Sequence, residues 1–369
     1  MTDTVLFDEQ PSADGHRIGR ITLNAPRALN ALGLAMIQAI DARLEQWFAD
    51  DGIVAIWLEG AGERALSAGG DVIALHASMV EYSGCERNPF VEDYFAAEYR
   101  LDYRLHKAPK PVICWAEGVV MGGGMGLMQA SDFRLVTATS RLAMPEVSVG
   151  LFPDVGASWF LNRLPGKTGL FLGLTGVHLN ARDALDLGLA DRFMEHGRER
   201  VLAALAALDY SDDPAENRRR LHRALRALAS APAALDSAVF DHLEHINRLC
   251  DGASVTDVVE NILTDNQCDA WLDRARGTLA KGCPQTVHLV WQQLERGRYL
   301  SLAEVFRMEW CLAVQCARHP DFREGVRALL IDKDGAPRFR HRRVEQVPDA
   351  YIDGFFHNPA PRHPLADLD

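Results

Sequence analysis

A buried strand followed by a run of glycines constrains the fold of this chain more than any other feature. Residues 111–120 (PVICWAEGVV) are almost continuously apolar, which favours a strand covered on both faces. Gly122, Gly123, Gly124 and Gly126 follow at once and predict a tight turn that opens a helix. A strand, a glycine turn and a helix in this order are typical of an α/β core.

Further patterns in the first half of the chain support that core. Residues 17–24 and 54–60 predict strands, and residues 132–138 predict another short strand. Between the first two, apolar residues recur at helical spacing over 36–48, after an N-cap predicted at Asn30. The chain is therefore expected to begin with a β–α–β unit.

Strand patterns end near residue 195, and helical patterns replace them. Ser301 and Glu304 have the spacing of a capping box at the start of a helix. We expect an α/β core over 1–200, a helical region over 201–334 that completes the active site and the oligomer contacts, and an extended tail over 335–369. The tail is rich in Pro, Arg and His and has weak periodicity, so loose order is expected there.

Charge and cysteine content exclude several classes of protein. Lys and Arg total 39 and Asp and Glu total 51, which gives a net charge of −12 and disfavours nucleic acid as a partner. The seven cysteines are odd in number and include no C-x-x-C pair, so a reducing compartment is expected. The opening residues MTDTVLFDEQ lack a basic region followed by an apolar run, and no long apolar stretch occurs. These features predict a cytoplasmic protein with no membrane partner.

Two segments resemble known binding motifs but lack residues that those motifs require. Gly166-Lys167-Thr168 resembles the end of a phosphate-binding loop, but Leu161 stands where that motif needs a glycine. His242 and His245 are three residues apart and lack the order of a zinc-protease helix, so no metal site is predicted.

Three segments carry groups suited to chemistry. Residues 66–73 and 121–126 are rich in small residues, which let a ligand approach the main chain and expose N–H groups to it. The structural alternatives are a tight turn for the first and close helix packing for the second. Residues 144–156 place Glu146 and Asp154 in apolar surroundings, where carboxylates are either well paired or functional.

Taken in order, these segments resemble the crotonase, or enoyl-CoA hydratase/isomerase, superfamily. The resemblance extends over about residues 15–195 and rests on Asn24–Leu32, Ala68–Asp71, Gly122–Gly124, Thr175-Gly176 and Gly188–Asp191. It implies an α/β fold, which is a crotonase-like spiral of β–β–α turns with a helical C-terminal extension. It also implies that this fold binds an acyl-CoA thioester. The resemblance further implies that the N–H groups of Gly70 and Gly123 stabilise the negative charge that develops on the thioester carbonyl oxygen during the reaction.

Acidic residues distinguish the branches of this superfamily. The hydratases have a glutamate at the position of Gly126 and another at Glu146, so this chain keeps only one of the two. The segments Met144–Gly156 and Phe322–Asp334 resemble the 3-hydroxyisobutyryl-CoA hydrolase branch instead. That resemblance implies hydrolysis of a short branched 3-hydroxyacyl-CoA, in valine catabolism.

The same resemblance implies roles for the acidic residues. Glu146 would act at the carbonyl carbon, either as a nucleophile that forms an anhydride or as a general base for water. Asp154 would bind the 3-hydroxyl group or orient water. Glu98 would help to fix that hydroxyl, although Glu98 taken alone would be interpreted as part of a helix surface.

The resemblance also implies a binding site for CoA. CoA would lie along the main chain of residues near the first glycine turn. The phosphates of CoA would lie near cations such as Arg27 or Lys333. The main-chain residues are Ala28, Leu29, Ala68, Gly70, Asp71 and Val72. CoA is part of the substrate, and no metal or redox cofactor is expected because a thioester is already activated. Members of this superfamily associate, so a homo-oligomer, a trimer or a dimer of trimers, is implied.

Competing functions remain open at this point. One carboxylate at Glu146 would suffice for an enoyl-CoA isomerase, and a hydratase of fatty-acid oxidation is the related alternative. A catalytically silent CoA-binding protein would keep the glycine turns but would not need Glu146.

Overall fold

The computed structural model describes residues 3–232 and 234–369. The strands are β1 (Val5–Pro11), β2 (Arg17–Leu23), β3 (Ile53–Gly60), β4 (Ala65–Ser67), β5 (Val112–Ala116), β6 (Val119–Met121), β7 (Phe133–Val136), β8 (Arg141–Ala143) and β9 (Arg192–Phe193). The helices up to β9 are α1 (Leu34–Ala49), α2 (Val72–Glu81), α3 (Pro89–His106), α4 (Gly123–Gln129), α5 (Ala157–Phe160), α6 (Thr168–Thr175) and α7 (Ala181–Asp186). After β9 come α8 (Arg198–Ala206), α9 (Pro214–Leu228), α10 (Ala238–Asp241), α11 (Leu243–Leu249), α12 (Val255–Thr264), α13 (Ala270–Lys281), α14 (Pro284–Gly297), α15 (Leu302–Arg318), α16 (Pro320–Val326) and α17 (Asp349–Asp353).

The described chain forms two compact units whose segments alternate along the sequence. The first, here called the sheet unit, contains the described residues up to Gly70 with Leu101–Leu142 and Leu179–Ser237. The second, here called the helical unit, contains Asp71–Arg100, Ala143–His178 and the described residues from Ala238 onward. These limits differ from the boundaries at residues 200 and 334 that the sequence suggested, because each unit recruits segments from both halves of the chain.

A mostly parallel sheet forms the centre of the sheet unit. Its strand order is β1-β2-β3-β5-β7-β9, with β1 antiparallel to β2 and the remaining neighbours parallel. One face is buried by Trp57 and Trp115, whose rings stack with centroids 5.8 Å apart, and by apolar residues of α8 and α9. Burial of these large side chains supplies the main stabilisation of the unit.

A repeated β–β–α order along the chain positions the turns of interest. β3, β5 and β7 each lie in the large sheet and are each followed by a short strand of a second sheet, ordered β4-β6-β8. After these short strands come α2, α4 and a 3₁₀ turn over Glu146–Ser148. The predicted α/β class and the predicted helix after the glycine run are therefore confirmed.

Two local predictions from the sequence are wrong. Residues 111–120 form two strands instead of one, because Gly118 has φ +68° and a Cβ there would lie 2.3 Å from the Arg64 carbonyl oxygen. Asn30 is not the N-cap of α1, which follows Gly33. The Asn30 side chain instead accepts from Ala25 N and donates to Ala65 O, so it is already used in the preceding turn.

The helical unit is organised around α14 and α15. The capping box predicted at Ser301 and Glu304 is present, with the Ser301 N–H donating to the Glu304 carboxylate over 2.8 Å. The segment 335–369 is more ordered than the sequence suggests, because it contains α17 and buries Ile352, Phe355 and Leu365. In the described residues no helix combines the length and apolar character that crossing a membrane requires.

Candidate active site

Two glycine turns approach each other inside the sheet unit. Gly69 has φ +107°, and a Cβ on it would lie 3.2 Å from Met121 O and 3.6 Å from Gly123 N. A Cβ on Gly124 would lie 2.5 Å from Ser67 O, closer than any side chain allows. The small residues thus permit the main chains of the two turns to touch, which places Gly70 and Gly123 in neighbouring turns.

These turns leave two N–H groups available. Gly123 is the first residue of α4, where N–H groups have no partner within the helix. Neither Gly70 N nor Gly123 N donates to an acceptor within residues 3–232 and 234–369. The positive end of α4 adds to the attraction for an anion at this point.

The predicted CoA-binding residues of the sheet unit are brought together. Ala68 N donates to Leu29 O over 2.9 Å, which joins the Ala28-Leu29 turn to the first glycine turn. Leu29 has φ +52°, a left-handed conformation that costs about 1 kcal/mol or more and is often found at binding sites. Asn30, whose amide bonds hold this turn, is a positioning residue that the sequence suggested only as a helix cap.

Asp71 and Val72, also predicted to bind CoA, begin the first segment of the helical unit. The Asp71 side chain caps α2 by accepting from Ala74 N over 3.0 Å. Its main chain follows Gly70 directly in sequence. The carboxylate therefore has a structural role. The main chain of Asp71 is also engaged, because its carbonyl accepts from Leu75 N over 3.1 Å and its backbone forms a hydrogen bond with the Tyr94 hydroxyl group.

Glu146 and Asp154 are buried carboxyl groups of the helical unit. Glu146 begins the 3₁₀ turn and is only 6% exposed, and its Oε2 atom finds no hydrogen-bond partner in the described part of the chain. Asp154 is 4% exposed. A buried carboxyl oxygen without a partner is costly, which is typical of a group kept for function.

The two carboxyl groups influence each other's protonation. Burial, with a smaller contribution from the negative charge of Asp154, raises the pKa of Glu146 well above its usual range. Burial also raises the pKa of Asp154 to about 7, although a hydrogen bond from Tyr99 opposes this. A proton is therefore held by this pair near neutral pH, as expected for a general acid or base.

Tyr99 is a partner of Asp154 that sequence analysis missed. Its hydroxyl group donates to Asp154 Oδ2 over 2.7 Å, and its ring is fully buried against Phe95 and Phe306. Nothing in the residue pattern marks Tyr99 except its position beside Glu98. One oxygen of Asp154 is thus occupied by the phenol, which fixes the orientation of the carboxylate.

Glu98 is a buried residue of α3, and so it is not part of a helix surface. It is 3% exposed, and its charge contributes to the raised pKa of Tyr94 and of Tyr99. Asp154 contributes to the same two shifts. Asp154 also raises the pKa of Glu146, so Glu98, Glu146 and Asp154 form one acidic group in the helical unit.

Polar groups of α14 and α15 hold the loop that carries Glu146 and Asp154. Thr286 Oγ1 donates to Leu151 O over 2.6 Å, and Gln293 Nε2 donates to Pro153 O over 2.7 Å. Glu309 accepts from Gly156 N over 2.7 Å and from Ser158 N over 2.9 Å. Sequence analysis missed Glu309. The signal that could have identified it is an acidic residue on the apolar face of α15.

The segment 322–334 packs against the same loop. A Cβ on Gly150 would lie 2.5 Å from Asp321 O, and a Cβ on Gly325 would lie 2.3 Å from Val149 O. Only glycine allows α16 to approach the main chain this closely. The two segments on which the branch assignment rests are therefore in direct contact.

Replacing Glu309 with Ala should destabilise the fold by about 2–4 kcal/mol, since it leaves two buried N–H groups without an acceptor. Burial raises the pKa of Glu309 to about 8 from 4.5. A carboxyl group with a raised pKa contributes its full stability below pH 4.5 and loses it as the pH rises through 8. Urea unfolding at pH 5 and pH 8.5 should therefore show a larger difference from wild type at pH 5. An equal difference at both values would contradict this account.

The predicted site residues thus fall into two groups. Gly70, Gly123, Ala28, Leu29 and Ala68 lie in the sheet unit. The carboxylates and the start of α2 lie in the helical unit. Arg27 and Lys333 are exposed and make no ion pair with other described residues. The described residues include no cluster of His, Cys, Asp and Glu that could hold a metal ion.

A scan against family models identifies the family of this chain. The model described as enoyl-CoA hydratase/isomerase matches residues 18–356. The chain belongs to this family. The resemblance seen in the motifs is confirmed, and the match extends well beyond residue 195 into the helical unit.

Individual relatives and a solved structure refine the comparison. The chain is 37% identical to "3-hydroxyisobutyryl-CoA hydrolase, mitochondrial" of Gallus gallus, with 95% of this chain and 88% of that protein covered. It is 38% identical to the protein of the same name from Danio rerio, with 95% and 89% covered. A crystal structure of a carnitinyl-CoA dehydratase from Mycobacterium thermoresistibile has a TM-score of 0.85 at 30% identity and covers 99% of this chain and 100% of its own. The predicted fold and the assignment to the 3-hydroxyisobutyryl-CoA hydrolase branch are therefore confirmed.

The prediction of a cytoplasmic protein is wrong. The relatives named 3-hydroxyisobutyryl-CoA hydrolase are named as mitochondrial proteins, and this overturns the cytoplasmic assignment. The seven free cysteines fit any reducing compartment, so they could not separate these locations.

Proposed function

We propose that this chain hydrolyses the thioester of a short branched 3-hydroxyacyl-CoA, 3-hydroxyisobutyryl-CoA above all, and releases free CoA. The observation that carries this proposal is the buried Glu146, with an unpartnered oxygen, beside a buried Asp154. Gly126 stands where a second glutamate would be needed for hydration. The relatives at 37–38% identity that are named for this hydrolysis support the same conclusion.

In the proposed reaction, the N–H groups of Gly70 and Gly123 stabilise the oxyanion that forms when the thioester carbonyl is attacked. Glu146 either attacks the carbonyl carbon, giving an anhydride that water then opens, or removes a proton from an attacking water. In both routes the C–S bond breaks, the oxygen of one water molecule enters the acid product, and CoA leaves as the thiol. Both routes need Glu146 ionised, so activity should rise with pH as the carboxyl pair loses its proton.

Asp154 is proposed to bind the 3-hydroxyl group of the substrate or to orient water, with Glu98 helping to fix the hydroxyl. The Tyr99 hydroxyl group occupies Oδ2 of Asp154. The other oxygen, Oδ1, is then the one that faces the ligand. A buried site that satisfies a hydroxyl group rejects analogues without it, because its own polar group is left unpaired.

Replacing Tyr99 with Phe should move the acidic limb of the pH profile of kcat/KM upward by about one pH unit. The phenol stabilises the Asp154 carboxylate, and losing a hydrogen bond to a charged group raises its pKa by about that amount. The ring contacts with Phe95 and Phe306 remain, so the fold is retained. An unchanged profile in this variant, with Tyr103→Phe as a matched control, would show that the phenol does not tune Asp154.

CoA is proposed to lie along the main chain of its predicted residues, which are Ala28, Leu29, Ala68, Gly70, Asp71 and Val72. Arg27 and Lys333 are proposed to interact with its phosphates, since both are exposed cations without an ion pair among the described residues. The reaction as proposed needs no metal and no redox cofactor, because a thioester is already activated and CoA is part of the substrate.

A substrate comparison tests this function against its alternatives. A 3-enoyl-CoA whose double bond moves into conjugation without release of thiol would indicate the isomerase. Thermal stabilisation by CoA that is equal in wild type and Glu146→Gln, with no turnover in either, would indicate a silent CoA-binding protein. Faster hydrolysis of 3-hydroxyisobutyryl-CoA than of isobutyryl-CoA is the result that the proposal predicts.

Two wider roles are proposed on the same basis. The hydrolysis would serve valine catabolism, as the resemblance to this branch implies. The chain would form a homo-oligomer, a trimer or a dimer of trimers, which sedimentation equilibrium measures directly.

A further inference from the structure

A cavity of about 450 Å³ lies within the helical unit. None of Glu98, Glu146 and Asp154 lines it, although Ser148, from the same 3₁₀ turn as Glu146, does. Its walls come from α13, from Gly176–His178 at the end of α6, and from the segment between α16 and Pro337. This volume is within the range of small-molecule sites.

The charged residues that line the cavity are positive, whereas the net charge of the chain is negative. Arg274 and Lys281 line it, and neither forms an ion pair with any described residue. No acidic residue of the described chain lines the cavity, while the whole chain has a net charge of −12. In a chain with an excess of carboxylates, two cations left unpaired at one cavity favour an anionic ligand.

One face of α13 forms part of the cavity wall. Arg274, Gly277, Thr278 and Lys281 have the spacing of a single helix face, and all four line the cavity. A Cβ on Gly277 would meet nothing within 4 Å, so packing does not explain a glycine in the middle of this helix. Glycine there weakens the helix by about 1 kcal/mol relative to Ala. Its effect is to leave the cavity open.

The opposite wall is apolar. Leu329 is 47% exposed, although it is a large hydrophobic residue, and it lies in a π-helical turn over Arg327–Ile331. Such turns are frequent at functional sites. Val177, Ala328 and Pro337 extend this apolar surface. The cavity therefore joins a hydrocarbon surface to a cationic rim.

The aromatic ring at the cavity cannot stack on a ligand. Trp271 is only 7% exposed, and its ring stacks with those of Phe171 and His242, whose centroids are 5.6 and 5.9 Å away. Its Nε1 donates to His178 O. This buried, stacked ring offers little free surface to a ligand. This disfavours a nucleotide base and favours a chain-like hydrophobic group.

We propose that this cavity binds a small amphiphilic carboxylate, with its carboxylate at Arg274 and Lys281 and its hydrocarbon chain against Val177, Ala328 and Leu329. Ser148 and Thr278 also line the cavity, and Thr278 Oγ1 donates to Arg274 O over 3.1 Å. This inference does not rest on the proposed hydrolysis.

The proposal is tested by titrating the full-length protein with octanoate in a calorimeter, in the presence of saturating CoA, beside octylamine and octanol. Octanoate should bind and octylamine should not. Arg274→Ala with Lys281→Ala should weaken octanoate binding by about ten-fold or more. The matched control, Arg200→Ala with Arg226→Ala, removes two exposed cations from α8 and α9 and should leave binding unchanged.

Gly277→Leu provides a second variant that fills the cavity and also favours the helix. It should abolish octanoate binding while the melting temperature stays equal or rises. Absence of octanoate binding to wild type would overturn the proposal, as would binding that both variants retain. Octanoate binding that occurs only when CoA is left out would place octanoate in the acyl-CoA site. An altered oligomeric state in Gly277→Leu would make this face an interface between copies. Either result would overturn the proposal.

Discussion

Replacing Glu146 with Gln is expected to lower kcat for hydrolysis of 3-hydroxyisobutyryl-CoA by about a thousand-fold. Glutamine keeps the shape of the side chain but can neither attack the carbonyl carbon nor accept a proton from water. The hydrogen-bond donors at Gly70 and Gly123 would remain and sustain the residual rate. Steady-state release of free thiol measures this effect directly.

The same substitution should leave the fold intact, because Glu146 Oε2 has no partner to lose among the described residues. The melting temperature should be equal to or above that of wild type, since a buried ionisable group is removed. Thermal stabilisation by CoA should also persist. A rate within ten-fold of wild type would exclude Glu146 from the chemical step.

Replacing Asp154 with Asn is expected to reduce the preference for 3-hydroxyisobutyryl-CoA over isobutyryl-CoA by about ten- to a hundred-fold in kcat/KM. A charge-assisted hydrogen bond to the substrate hydroxyl is replaced by a neutral one, and such bonds differ by about 1–3 kcal/mol. The amide can still accept from the Tyr99 hydroxyl, so the side chain should keep its place. Parallel progress curves for both substrates give the ratio.

The pattern of losses separates the two roles open for Asp154. A loss confined to the hydroxylated substrate assigns Asp154 to the 3-hydroxyl group. An equal loss for both substrates assigns it to the orientation of water. Wild-type rates and wild-type preference in Asp154→Asn would contradict both roles.

Local sequence patterns identified the elements that carry the site. Nearly continuous apolar runs marked β3 and β5, since strands covered on both faces need no polar alternation. The glycines at 122–126 marked the start of α4, because few other residues allow such a close approach to Ser67. The boundary at Gly118 was missed, since the clash with Arg64 involves a residue distant in sequence.

Interactions between distant segments could not be predicted from these patterns. Tyr99 and Asp154 are 55 residues apart, and Glu309 is 153 residues from Gly156, so their pairing follows from tertiary packing alone. Ile352 and Phe355 in the tail form an apolar pattern of about one helical turn, which is too short to indicate burial. Asn30 had the residue type of a helix cap, but its amide is used by the turn around Ala65.

The most direct test of the central claim is to follow thiol release and absorbance together, with 3-hydroxyisobutyryl-CoA and crotonyl-CoA as parallel substrates. Wild type should release thiol from 3-hydroxyisobutyryl-CoA, Glu146→Gln should not, and neither protein should consume crotonyl-CoA. Loss of crotonyl-CoA absorbance without thiol release would show hydration despite Gly126 and would contradict the proposed hydrolysis.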